Sequence, residues 1–127
     1  PGGVGVAKHL STWFTHGAAG SVDSPIESLL VKFHSLSRPI AAICIAPVLV
    51  ARALGNKKVS VTAGNIAEVN TEIGKTGAEA VNCPVDDFVT DRLNKVITTP
   101  AYMYSDATPF EIYTGIRKAI KELVEMA

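Results

Sequence analysis

No surplus of either charge marks this sequence: 12 Lys plus Arg stand against 12 Asp plus Glu. A protein that draws its affinity from phosphate contacts carries a basic excess, so nucleic acid is not an expected partner. Long hydrophobic runs are also lacking. The longest, Ile40 to Ala51, is too short to span a bilayer and is interrupted by Pro47, and no basic-then-apolar signal opens the chain, so no membrane association is expected. Cysteine is scarce. The two present, Cys44 and Cys83, lie in no Cys-x-x-Cys or Cys-His spacing, which excludes a disulfide framework and a structural metal and points to a reducing, cytoplasmic setting. An initiating methionine is absent too. The chain begins at Pro1, on a glycine turn of the kind that follows a strand, so a preceding segment is expected.

What is present is organised around Ile40 to Pro47, Ile-Ala-Ala-Ile-Cys-Ile-Ala-Pro, where a buried apolar run meets a thiol and then a proline. Such a pattern reads as strand, tight turn, helix. A nucleophile held in that turn needs small residues two places to either side, here Ala42 and Ala46. Pro47 suits the first helical turn because the N–H it lacks would have no partner there. Cys44 thus fits the tip of a nucleophile elbow, and it also fits a small buried hydrophobe, the commoner fate of free cysteine. Spacing favours the elbow only modestly.

The 127 residues suffice for one domain with one core. Gly2, Gly3 and Gly5 predict a loop whose bare backbone could cradle an anion or could simply turn the chain. Lys8 and His9 follow it as candidate site lining, although a lysine there is more commonly solvated. Ser24-Pro25-Ile26-Glu27 is a capping-box pattern, and Ile26, Leu29, Leu30 and Phe33 give the ensuing helix one apolar face, expected to pack on a sheet. His34 is expected on its solvated side. Val48 to Leu54 predicts a buried central helix, Val59 to Thr62 a short strand, and Asn65 to Ile73 a helix starting from Asn65. Ala80 to Asn82 is a candidate strand, with Cys83 after it as packing. Phe88 to Thr90 and Val96 to Thr98 predict a hairpin, while Asp86 and Asp87, being adjacent, point apart and suit a turn. Tyr102 and Tyr104 are candidate residues at a pocket mouth. Thr108-Pro109-Phe110-Glu111 repeats the capping box before a helix whose Ile112, Ile116, Ala119, Ile120 and Leu123 share a face. Strands alternating with amphipathic helices predict an α/β fold with a mostly parallel sheet covered on both faces and a site at the strands' carboxyl ends.

Three stretches carry a resemblance. Ala41 to Gly55 resembles the cysteine elbow of the PfpI superfamily; Pro1 to Lys8, and Cys83 to Asp87 followed by Val96 to Met103, resemble its ElbB branch, glyoxalase-like proteins labelled as isoprenoid-biosynthesis proteins. The likeness runs over nearly the whole chain in order. It implies a class I glutamine-amidotransferase-like fold, a flavodoxin-like three-layer sandwich of which this chain is the C-terminal part, and a homodimer. It also implies that glycine N–H groups line the site beside the cysteine, and that a glutamate from an N-terminal half faces the thiol. Family members usually carry Asn where this chain has His9, which weakens a role for His9.

The chemistry follows from Cys44 and what surrounds it. Many superfamily members place a histidine directly after the cysteine; here the residue is Ile45, which argues against peptide or glutamine hydrolysis. Gly3 and Ile45 N–H groups are expected to hold an oxyanion, and the Ala46 to Leu54 helix to favour the thiolate. The reading is a cofactor-independent glyoxalase III-like lyase: Cys44 adds to a small carbonyl substrate, glyoxal or methylglyoxal, and a hydroxy acid is released. The alternative is a noncatalytic redox-sensing or partner-binding protein with an oxidisable cysteine.

Overall fold

Apolar strand segments in this chain are short, and the first two and the last lead into helices. The computed structural model describes residues 3–127. In chain order the elements are α1 (Val4–Leu10), α2 (Trp13–His16), α3 (Ser24–Ser35), β1 (Ile40–Ile43), α4 (Pro47–Leu54), β2 (Ser60–Val61), α5 (Ala67–Lys75), β3 (Glu79–Ala80), β4 (Val89–Asp91), β5 (Val96–Thr99) and α6 (Pro109–Met126). Short 3-10 turns at Gly17–Ala19, Gly55–Lys57 and Ala101–Met103 complete the set.

Strand β5 lies between β1 and β4. It runs parallel to β1, with Ile40 opposite Val96 and Ile43 opposite Thr99, and antiparallel to β4, with Asp91 opposite Val96. The expected hairpin is therefore β4 and β5, and its second strand is the central one. β2 and β3 form a separate parallel pair. Side chains stitch the two sheets together: Ser60 N donates to Asp91 Oδ2 at 2.9 Å, and Thr62 N to Thr98 Oγ1 at 2.9 Å. Those bonds satisfy buried N–H groups of the β2 segment that a backbone ladder would otherwise have to serve.

All four residues of β5 are buried, the threonines included. Thr98 accepts from Thr62, and Thr99 Oγ1 donates to Asp87 O at 2.7 Å, so neither hydroxyl is buried unpaired. Around β5, the side chains of Val48, Leu54, Val59, Val61, Ile73 and Ile97 are almost fully shielded from water. Helix α6 packs on β5 and β1, while α3 and α4 pack on each other and on β1. Gly115 lets α6 approach this closely: a Cβ there would collide with the Val85 carbonyl oxygen and come within 3.0 Å of Thr99 Oγ1. The α6 capping box forms as expected, with Glu111 N donating to Thr108 Oγ1 and Thr108 N to Glu111 Oε2.

Local readings needed correction where packing outweighed propensity. The glycine-rich opening is a helix from Val4, capped by Gly3 at φ 138°, because Ala7 is buried and its carbonyl accepts from Ser11 Oγ. Lys8 and His9 therefore lie in the last turn of a helix and not in a loop. The N-cap of α3 is Asp23, with Ser24 already helical, so that capping box does not form. Helix α5 starts at Ala67 behind Ile66, with no side-chain cap from Asn65. His34 is half-buried and its Nε2 lies 2.8 Å from Asn94 Oδ1. On α6, Ile120 stays exposed while Ile112, Gly115 and Ala119 make the buried stripe. On α3, Leu29 and Phe33 remain 51% and 42% exposed. They line an apolar groove with Leu30, Pro39, Ile40 and Ala41 beside β1, whose second edge pairs with no strand among the described residues. No helix among those residues is long and apolar enough to cross a membrane.

Candidate functional site around Cys44

The β1 ladder continues one residue past the strand: Cys44 N donates to Thr99 O at 3.0 Å. The backbone then turns through Cys44 at φ 66°, in the left-handed region that residues with a Cβ rarely occupy. Ala46 N returns to Ile43 O at 3.2 Å, and Val48 N to Ile45 O at 3.1 Å, which launches α4 with Pro47 in its first turn. Buried Ala42 and half-buried Ala46 flank the turn, as the strand-turn-helix pattern requires. The Cys44 thiol is half-buried and free, and so still open to a reactant.

A second segment meets it. After β5 the chain passes Pro100 and turns through Ala101, also left-handed at φ 47°, into the Ala101–Met103 3-10 turn. Burial pushes the Cys44 thiol above its ordinary range, while the backbone N–H groups of Ile45 and Tyr102 pull it back in part. Desolvation prevails, so the helix end does not by itself make this thiol acidic, contrary to the expectation from the elbow alone. Cys83 is buried, donates weakly to Pro84 O, and is pushed up to about 11 by burial and by Asp87 and Asp86. The structure thus separates the two cysteines: Cys44 has thiolate-stabilising donors, and Cys83 has acidic neighbours. Asp87 N donates to Pro84 O in the turn that carries both aspartates.

Of the other residues singled out from sequence, Ile45 is buried, and so is Pro47 at the start of α4. Gly3 caps α1, its carbonyl accepting from Ala7 N at 3.0 Å. Gly2 lies outside the described residues. Lys8 is exposed, with Nζ 5.5 Å from the centre of the Phe14 ring, and His9 is exposed. Neither is among the groups that act on the thiol. Tyr104 donates its hydroxyl to Cys83 O at 2.6 Å, an anchoring role. Tyr102 contributes its backbone, while its side chain is 70% exposed. Sequence reasoning missed its N–H because a tyrosine advertises its ring, and no short-range pattern reports that the end of β5 lies beside the end of β1. Among the described residues no cluster of three or more His, Cys, Asp or Glu could hold a metal ion.

No protein-family model matches the chain. Among curated proteins it is 37% identical over 135 residues to the ES1 protein homolog, mitochondrial, of Rattus norvegicus, covering 99% of this chain and 50% of that protein. To Glutamine amidotransferase-like class 1 domain-containing protein 3, mitochondrial, of Homo sapiens it is 36% identical, covering 99% of this chain and 49% of that one. The mitochondrial ES1 protein of Danio rerio is 29% identical. The chain spans about half the length of the curated relatives it matches. Their shared mitochondrial naming overturns the cytoplasmic assignment made from cysteine usage, and points to a mitochondrial location instead. Cysteine usage does not distinguish one reducing compartment from another.

Among solved structures, an isoprenoid biosynthesis protein with an amidotransferase-like domain from Ehrlichia chaffeensis superposes with a TM-score of 0.86 at 34% identity, covering 99% of this chain and 56% of that chain. With Cys44 held between a parallel strand and a helix, the chain has the class I glutamine-amidotransferase-like fold, a flavodoxin-like α/β sandwich suited to a cysteine nucleophile.

Proposed function

We propose that this chain carries the nucleophile of a cofactor-independent glyoxalase of the PfpI/ElbB type, acting on glyoxal or methylglyoxal. The observation that supports it is the left-handed, half-open Cys44 at a strand-helix junction. In the reaction, the sulfur bonds to the aldehyde carbon as the C=O π bond opens and the oxygen takes a proton, giving a hemithioacetal. A proton then leaves that carbon and another is added at the neighbouring carbonyl carbon, through an enediol, leaving a thioester beside a hydroxyl. Water attacks the thioester, the C–S bond breaks, and the thiol and a hydroxy acid are released. One water is consumed, and no electron acceptor is required.

Ile45 next to the thiol offers no imidazole, which suits carbonyl addition better than amide hydrolysis. Gly2 and Gly3 are assigned the oxyanion side with Ile45 N–H, and Lys8, His9 and Pro47 the lining. The proton carrier is assigned to a glutamate outside these 127 residues, on the part by which the matched relatives exceed this chain. The working assembly is assigned as a homodimer. No isoprenoid ligand is assigned; that word belongs to the neighbour's name.

The test is turnover by the full-length protein, with the hydroxy acid followed by NMR. Cys44→Ala should abolish hydroxy acid formation while the melting transition remains cooperative. Formation of the acid at an unchanged rate by the variant would refute the assignment.

A further inference from the structure

Strand β1 is built like an interior strand and lies at an edge. Its sequence, Ile-Ala-Ala-Ile, holds no charge, and its residues are buried or half-buried in alternation, as in a parallel sheet covered on both faces. A strand that ends a sheet is normally blunted by lysine or proline, and β1 has neither. Ile40 N donates to Lys95 O and Cys44 N to Thr99 O, so the even-numbered positions bond toward β5. The N–H groups of Ala41 and Ile43 point the other way, to an edge that meets no strand among the described residues. Half-buried N–H groups of that kind call for a partner.

The helices that cover β1 leave apolar side chains over that same edge. On α3 these are Leu29 and Phe33, which with Pro39 and Ala41 line a groove of about 240 Å³. On α6 the flank toward β4 is marked by two contacts, Glu122 with Arg92 at 3.3 Å and Lys118 Nζ donating to Asp86 O at 2.9 Å. With 3.6 residues per turn, Tyr113, Ile120 and Val124 fall on the opposite flank from Glu122, toward β1, and all three are exposed. An apolar strand edge between two apolar helix flanks is an α/β sandwich cut between one strand and the next. The curated relatives supply about as much polypeptide again, and this chain covers 56% of the solved neighbour. We propose that the β1 edge and these two helix flanks seat an extended segment, with its own covering helices, from the part of the full-length protein by which the relatives exceed these 127 residues. The segment pairs with Ala41 and Ile43, which brings one of its ends beside Cys44. A second copy could offer this edge only the four residues of its own β1, whereas the unmatched polypeptide is about as long as this chain.

The test places the photocrosslinker p-benzoylphenylalanine in the purified full-length protein at Phe33, at Tyr113 and, as a reference on the turn between β4 and β5, at Leu93, which is 92% exposed. Illumination should join positions 33 and 113 to peptides outside these 127 residues while the mass stays that of one chain, and position 93 should remain unjoined. Amide exchange on the wild-type protein needs no substitution: the Ala41 and Ile43 amides should exchange as slowly as those of Ile97 and Thr99 inside the sheet. Products of doubled mass, which put a second copy on the edge, overturn the seating. Yields at positions 33 and 113 no higher than at 93 overturn it as well, as do Ala41 and Ile43 amides that exchange at the rate of open backbone. None of these readouts involves dicarbonyl turnover, so loss of the glyoxalase reading would leave the test standing.

Discussion

Replacing Cys44 by glycine should stabilise the protein relative to replacing it by alanine, and the difference measures the strain stored in the elbow. Both variants lose the same sulfur and the same half-buried packing, so only the backbone term separates them. A residue with a Cβ at φ 66° carries a penalty of about 1–2 kcal/mol that glycine does not. Against this, alanine limits the unfolded chain and recovers about 0.4–1 kcal/mol. The net advantage of glycine thus lies between about 0 and 1.6 kcal/mol, centred on about 0.8 kcal/mol, or roughly 2–4 °C in Tm at that centre. Cys44→Val should melt lowest of the three, because a β-branched side chain in the left-handed region is the worst case. Thermal and urea melts of the full-length variants decide it. If Cys44→Gly melts below Cys44→Ala by the margin usual inside regular structure, the turn is unstrained, and the argument that strain there serves the thiol collapses. The more stable glycine variant should be inactive, as expected where a strained site is kept for chemistry.

Burial would raise the Asp91 carboxyl, but N–H groups of Asn94, Ser60 and Leu93 outweigh it and hold it below its ordinary value. Its folded pKa is depressed, so the stability it contributes is complete above the unfolded value near 3.8 and is lost as pH falls through the folded one. Asp91→Asn should lower stability at neutral pH by about 1–3 kcal/mol by turning an amide on the Ser60 and Asn94 donors, and should flatten the acid limb below pH 3.8 in urea melts at several pH values. An acid limb unchanged by the substitution would show that the carboxylate does not stitch the sheets. Gly115→Ala should destabilise the protein by about 1–3 kcal/mol through overpacking against Val85 and Thr99; a neutral effect in the same melts would mean α6 can withdraw without cost.

Local chemistry made several features legible in the chain itself. Small residues at Ala42 and Ala46 with Pro47 behind them announce a turn between strand and helix, and Thr108 with Glu111 announces a helix start, because these signals act over four or five residues. The apolar alternation around Val89 to Thr99 likewise specified a hairpin. Tertiary structure alone decided the rest. Val4 to Leu10 became a helix because Ala7 had a core to enter, and Asp23 displaced Ser24 as a cap by one residue of register. Whether Cys44 would be acidic depended on the balance between desolvation and N–H donors, and one of those donors, Tyr102, lies 58 residues further along the chain. No short-range pattern reports that meeting, since it arises from the parallel register of β1 with β5. Sequence therefore determined where a nucleophile could stand. The packing of two strand ends determined which atoms face it.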